Sequence, residues 1–284
     1  MKLSNETGSL MNRFGIVKAV NMLIDAGFDA IDFTFPDKGY EMLSTDKGFY
    51  TELRKYVESK GGYFNQSHAP APSSLMDELE TNRMFNVITS TMQRASFLGV
   101  KNIVVHPCQH LPYVEKGVPE KLFEYNMDFY RRLIPYCEEY GIRVAIENMW
   151  QYPGMISHST CSRASEFIRY IDELNNECIV GCLDIGHAML VREMPDKFIR
   201  ELGNKRLQCI HVHDVDGIRD LHTLPYLGIT DWGSVMEALR EIDYEGEFTF
   251  EAGAILAGKP DALVPQYLKL MEQTGRYLID KFVS

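Results

Sequence analysis

Six residues of metal-liganding type each sit at or near the end of an apolar run. His68 closes GYFNQSH, His106 closes NIVVH, Glu147 closes IRVAIE and Asp184 closes CIVGCLD. His211 lies in LQCIHVHD, and Glu251 closes EFTFE. Successive members stand 27 to 41 residues apart, room for a loop, a helix and a strand each time. Glu147, Asp184, His211 and Glu251 form the core set. Carboxylates with an imidazole suit one divalent cation in a mixed oxygen and nitrogen shell, Zn²⁺ or Mn²⁺ first, with Co²⁺ or Mg²⁺ also accommodated. His213 lies two residues beyond His211, so along a strand both point to one face, and either could be the ligand.

Further candidates surround this set. His187 follows Asp184 in a D-x-x-H turn that can aim both side chains at one place. His68 and His106 each follow a strand and precede a proline that stiffens the exit loop. Asp220 and His222 make a D-x-H in the loop beyond His213, and Arg219 could hold a substrate oxygen. These seven, His68, His106, His187, His213, Arg219, Asp220 and His222, are read as additional metal or substrate contacts. Trp150 and Trp232 could wall a pocket or belong to the core. His110 and His158 lack any such context.

The elements that must position these residues alternate. Strands are expected at Lys2 to Asn5, Ala30 to Phe35, Tyr63 to Ser67, Asn102 to Val105, Ile142 to Ile146, Ile179 to Leu183, Leu207 to Val212 and Glu247 to Phe250. Helices are expected between them, at Arg13 to Asp25, 46 to 60, around Phe85 to Ala95, around Phe129 to Tyr136, 161 to 174, 195 to 202 and Asp231 to Ile242. A last helix covers 261 to 282. Phe85, Ile88, Met92 and Ala95 give the clearest helical period. Eight strands alternating with helices, with polar ligands at their C-terminal ends, predict an α/β fold: a single (β/α)8 TIM barrel spanning residues 1–284 as one domain. No GxGxxG follows the first strand to favour an open dinucleotide-binding sheet.

Composition narrows the partners. The chain has 284 residues and a formal net charge of −11. It shows no Lys/Arg cluster of the kind that neutralises a phosphate backbone, which argues against nucleic acid and for a small carbohydrate. No run of 18 apolar residues reads as a membrane span, and the opening MKLSNETGSL does not read as a signal peptide. The six cysteines carry no CxxC pair and read as reduced thiols. A cytoplasmic location is expected, and an apolar surface patch could support a homo-oligomer.

The segments IENMW, LDIGHAML, IHVHDVDG and FTFEAG give the chain its resemblance to the xylose-isomerase-like barrel superfamily. That group holds sugar-phosphate isomerases and epimerases, ketose 3-epimerases and endonuclease IV. The epimerase branch implies that Glu147, Asp184, His211 and Glu251 are the four ligands of one divalent metal. The family's VHxxD pattern matches Ile210 to Asp214 and selects His211 over His213. The implied activity is a metal-dependent sugar or sugar-phosphate isomerase or epimerase. It would work through a metal-stabilised enediolate, with Glu147 and Glu251 moving the proton. The endonuclease branch uses positions comparable to His68, His106, Asp184, His187, Asp220 and His222. It offers the alternative of a zinc-dependent hydrolase at abasic DNA, with up to three ions. A sugar-acid or inosose dehydratase shares the same site. The loop HTLPYLGITDW departs from the usual family form by placing Tyr226 where a glycine is common.

Overall fold

Period-two alternation decides which way each strand's side chains face, and here it sorts them sharply. The structure, a computed structural model, describes residues 1–36, 46–73, 77–152 and 154–282. Its strands are β1 (Leu3–Glu6), β2 (Ala30–Thr34), β3 (Tyr63–His68), β4 (Asn102–Val105), β5 (Arg143–Glu147), β6 (Trp150–Gln151), β7 (Ser157–His158), β8 (Ile179–Asp184), β9 (Leu207–Val212) and β10 (Phe248–Phe250). The pair β6 and β7 forms a separate antiparallel hairpin. The other eight close into a parallel barrel in the order β1-β10-β9-β8-β5-β4-β3-β2. This is the expected TIM barrel.

The helices are α1 (Gly8–Phe14), α2 (Ile16–Ala26), α3 (Lys47–Ser59), α4 (Glu78–Leu98), α5 (Val118–Tyr140), α6 (Ala164–Leu174), α7 (Ile185–Leu190), α8 (Pro195–Arg206), α9 (Trp232–Glu241) and α10 (Val264–Phe282). In α4, Phe85, Ile88, Met92 and Ala95 are all buried, as their spacing predicts. Its first turn is capped by the Asp77 carboxylate, which accepts from Glu80 N. Among the described residues no helix is long and apolar enough to cross a membrane.

Three features differ from expectation. The first helix divides into α1 and α2 because Gly15, at φ 78° and ψ 164°, cannot continue either. The hairpin β6–β7 is too short to carry a period. The helix α7 starts on Asp184 itself, whose side chain accepts from His187 N at 2.6 Å. This candidate ligand is therefore also a helix cap, and its six-residue helix has no amphipathic signature to read.

Two layers of core follow from the alternation. Outward-facing residues such as Ile31, Phe33, Ile103, Val144, Ile146, Ile210, Phe248 and Phe250 pack against the helices. Val104, Ala145, Val180, Cys182 and Cys209 form a small plug inside the barrel. Two residues further along the same strands stand His106, Glu147, Asp184 and His211. They share the inward phase and lie at the C-terminal mouth. The register confirms the convergence, pairing Asp184 with His211 and Thr249 with His211. All six cysteines are free, and five are buried.

Candidate metal centre

Three groups of ligand-type side chains meet at the mouth, and within each group the donor atoms lie within 4.8 Å of one another. The inner group is Glu147, Asp184, His211 and Glu251. A second group, His68, His106 and Glu147, shares the Glu147 carboxylate. The outer group is His187, His213, Asp220 and His222. The barrel thus brings together every anticipated site residue except Arg219. That side chain lies on the surface, donating from Nε to Asp216 at 2.8 Å, and does not reach the mouth. It follows Asp216 by three residues in an exposed turn, where the local carboxylate captures it.

Glu147 is the hub. Its Oε2 stands 3.1 Å from His106 Nε2 and 3.6 Å from His68 Nε2. Its Oε1 stands 3.4 Å from both His211 Nδ1 and His187 Nδ1. Glu251 approaches His211 Nδ1 at 3.1 Å from β10's end. Burial alone would raise the Glu147 carboxyl, but the charges of His211 and His106 reverse this and hold it well below the usual range. The histidines respond in mirror image. Burial opposes protonation of His68, yet Glu147 lifts it to about 9. Burial likewise opposes His187 and His222, and Asp184 and Asp220 lift them to about 10. The same carboxylates that attract these protons would attract a cation, which would displace them.

The donor set fits a cation for a second reason. His68 Nδ1–H donates to the Ala69 carbonyl at 2.8 Å, His187 Nδ1–H to Asn148 at 2.9 Å, and His222 Nδ1–H to Glu251 at 2.9 Å. Each bond fixes the tautomer and leaves Nε2 as a lone pair facing the cluster, as metal-ligating histidines are held. Four buried polar atoms there make no hydrogen bond: Glu147 Oε2, His211 Nδ1, His213 Nδ1 and Asp220 Oδ1. Close contact without hydrogen bonding suits groups that share an ion.

Sequence reasoning missed the residues behind the ligands. Asp32 Oδ2 lies 3.6 Å from His211 Nε2, with the Gln66 amide between them at 2.9 Å from Asp32 and 3.1 Å from His211. This places a carboxylate on the outer side of the ring. Asn148 ties β5 to β8, donating to the Asp184 carbonyl at 3.0 Å and accepting from Asp184 N at 2.7 Å. Glu6, at the end of β1, is buried with its pKa raised by burial and then by Glu251 and Asp32. Asp32 was legible in principle. In AIDFTF the apolar residues alternate outward, which leaves Asp32 facing the barrel interior.

Asp220 and His222 lie on a loop rather than a strand, and one carboxylate organises that loop. Fully buried Asp214 accepts from the backbone N–H groups of Val215, Tyr226, Gly228 and Thr230 at 3.0 to 3.1 Å. It also accepts from Thr230 Oγ1 at 2.8 Å and Trp232 Nε1 at 3.0 Å. Trp232 is therefore core, and Trp150 is the tryptophan that reaches the site, donating to Asp220 at 3.3 Å. Tyr226 occupies φ 73°, a left-handed conformation that favours glycine over a side chain.

The sequence pattern described as xylose isomerase-like TIM barrel matches residues 20–273. The chain belongs to this family. Among curated relatives, the uncharacterized protein MJ1311 of Methanocaldococcus jannaschii is 28% identical over 213 residues, covering 72% of this chain and 70% of that protein. A probable endonuclease 4 of Metamycoplasma arthritidis is 22% identical over 242 residues, covering 81% and 83%. Among solved structures, an IolI protein with a bound zinc atom superposes with a TM-score of 0.81 at 18% identity, covering 99% of each chain. A D-tagatose 3-epimerase-like protein gives 0.74 at 21% identity, covering 96% of this chain and 99% of the other. At these identities the structural likeness is one of fold. Within the xylose isomerase-like family, a site at the C-terminal barrel mouth is where the chemistry of such a fold is placed.

Proposed function

We propose that the protein is a metal-dependent sugar or sugar-phosphate isomerase or epimerase acting at the inner group. The observation that carries this reading is the pair of carboxylates, Glu147 and Glu251. They approach the same His211 nitrogen from different strand ends, at 3.4 and 3.1 Å. A divalent ion held by Glu147, Asp184, His211 and Glu251, zinc or manganese foremost, would supply Lewis acidity toward a carbonyl and its neighbouring hydroxyl. Glu147, buried and held ionised, is the base that removes the proton from the carbon beside the carbonyl. The electron pair of that C–H bond becomes the enediolate double bond. Glu251, having taken up a proton from solvent, would deliver it to the planar carbon, while Glu147 passes the proton it captured to solvent, so that both carboxyls regain their starting states. Asp32 and Gln66 keep His211 oriented. The net charge of −11 supports a small polyhydroxylated substrate over a polyanion.

A second reading, zinc-dependent hydrolysis of a phosphodiester at abasic DNA, is favoured by one specific observation. Glu147 faces His68 and His106 with one oxygen and His211 with the other, so that its carboxylate would be available to both the inner and the second donor group. The deciding experiment counts metal in the purified protein and in His68→Ala, then follows proton exchange from ketoses in D2O and nicking of an abasic duplex. Exchange that disappears in Glu147→Gln supports the isomerase. Nicking without exchange, with two or three zinc ions reduced in His68→Ala, replaces it with the hydrolase. Absence of any bound metal after reconstitution removes both.

A further inference from the structure

We propose that the N-terminal end of the barrel carries a separate binding site for a small oxyanion, a carboxylate or phosphate group, built from Arg143, Asn102 and Lys101. It does not depend on the reaction at the mouth. Period-two alternation places it. Val104 and Ala145 belong to the apolar plug, and two residues before them on β4 and β5 stand Asn102 and Arg143. These share the inward phase and line a cavity of about 240 Å³ at the feet of the strands, with Lys101 on its wall. Strand β5 thus carries a guanidinium at its foot and Glu147 at its head, ~13 Å apart at ~3.3 Å per residue, with the plug between them.

The hydrogen bonds of Arg143 leave its charge unanswered. Its Nε donates to Asn102 Oδ1 at 2.9 Å and its Nη1 to Gln208 Oε1 at 3.0 Å, and both acceptors are neutral amides. Among the described residues no carboxylate pairs with Arg143 or Lys101, and Arg143 Nη2 has no acceptor. Asn102 is buried, and with its Oδ1 taken by Arg143 its Nδ2 has no acceptor either. Two acids on the cavity wall are engaged elsewhere. Glu58 pairs with Arg54 at 2.7 Å, and Glu247 accepts from Tyr63 Oη at 2.7 Å. The third, Glu245, is exposed to solvent. Two cations without a counter-ion and an amide N–H without an acceptor therefore meet at one cavity. A guanidinium fork matches the paired oxygens of a carboxylate or phosphate. The cavity is smaller than the ~300–1,000 Å³ that drug-sized ligands occupy, which selects a small anion. Barrel chemistry belongs to the opposite face, so this anion is a ligand rather than the substrate of the mouth.

The competing role for Arg143 is purely structural, tying the feet of β4, β5 and β9 together through two amides. Calorimetric titration of the full-length protein separates the two. Inorganic phosphate and, separately, malonate are titrated at fixed ionic strength into metal-loaded and metal-free protein, with circular dichroism checking the fold. The variants are Arg143→Gln, Asn102→Asp and Lys101→Gln. Asn102→Asp supplies the carboxylate that Arg143 lacks, so it keeps the strand feet tied while closing the site. Wild type is expected to take up one equivalent of at least one probe, equally in both metal states. Arg143→Gln should bind at least ~10-fold more weakly, as the loss of a charge-assisted hydrogen bond implies. Asn102→Asp should give no binding heat. Lys101→Gln, at an exposed position that leaves the fold intact, should weaken binding ~2–5-fold. Binding of phosphate alone assigns the site to phosphoryl groups, and binding of malonate alone assigns it to carboxylates. No binding of either probe to wild type would overturn the proposal. Equal binding by wild type and the folded variants would also overturn it, and if that binding required the metal, the anion would lie at the mouth instead.

Discussion

The inner and outer groups of candidate ligands are built from similar side chains but on different foundations. Inner ligands stand at or just beyond the ends of adjacent barrel strands, where backbone ladders and the outward-facing core fix them. Half of the outer group, Asp220 and His222, rides on a loop whose shape depends on one buried carboxylate, Asp214. Strand-end ligands come with the fold. Loop ligands need an organiser of their own, and backbone strain collects there: both His222 and Tyr226 have positive φ.

The strongest way to break this contrast is Asp214→Ala. It strands donors from five residues around a buried carboxylate. Charge-assisted hydrogen bonds are worth ~1.5–3 kcal/mol each, so losing even two of these lowers stability by about 3 kcal/mol or more. Urea unfolding should show that loss, and metal titration should show the outer capacity gone with the inner capacity kept. Equal loss from both groups would mean that the loop also supports the strand ends.

Next in size is the pH response of the metal-free protein. His68, His187 and His222 are raised from 6.5 to about 9, 10 and 10. A group whose folded pKa is raised contributes stability that is complete below its unfolded value and lost as pH rises through the folded one. Thermal midpoints of the metal-free protein should therefore decline from near neutrality through pH 9–10. Zinc-loaded protein should hold steady over that window, because the ion takes the place of the protons. Parallel curves for the two forms would contradict the exchange of protons for metal.

The smallest effect sharpens the loop side alone. Tyr226→Gly relieves a left-handed tyrosine at ~1–2 kcal/mol and concedes ~0.5–1 kcal/mol of chain entropy. A net gain of at most ~1.5 kcal/mol is expected in denaturant unfolding, with inner metal affinity unchanged. A loss of stability would assign the contact of Tyr226 with Tyr277, centroids 6.1 Å apart, more weight than the strain.

The same division explains what the sequence disclosed. All eight barrel strands and the inward ligands were legible because alternation and the regular spacing are local patterns. Asp32, Gln66 and Glu6 carry the same inward phase but do not end conspicuous apolar runs, so alternation can place them inside the barrel without marking them as partners of His211 and Glu251. Asn148 could not be read as a clasp, since its partner lies 36 residues away on β8. Arg219 stands apart from the three groups because Asp216, three residues earlier, pairs with it at the surface.

The chain contains only two tryptophans, and both indole N–H groups end on carboxylates of this loop system. Trp150 meets a ligand of the outer group, and Trp232 meets the buried organiser. Their emission therefore forms a built-in two-channel optical gauge. A cation bound at Asp220 would perturb the partly exposed Trp150, whereas Trp232 would report on the integrity of the loop around Asp214. Ion occupancy and loop integrity can thus be followed by light without adding a label.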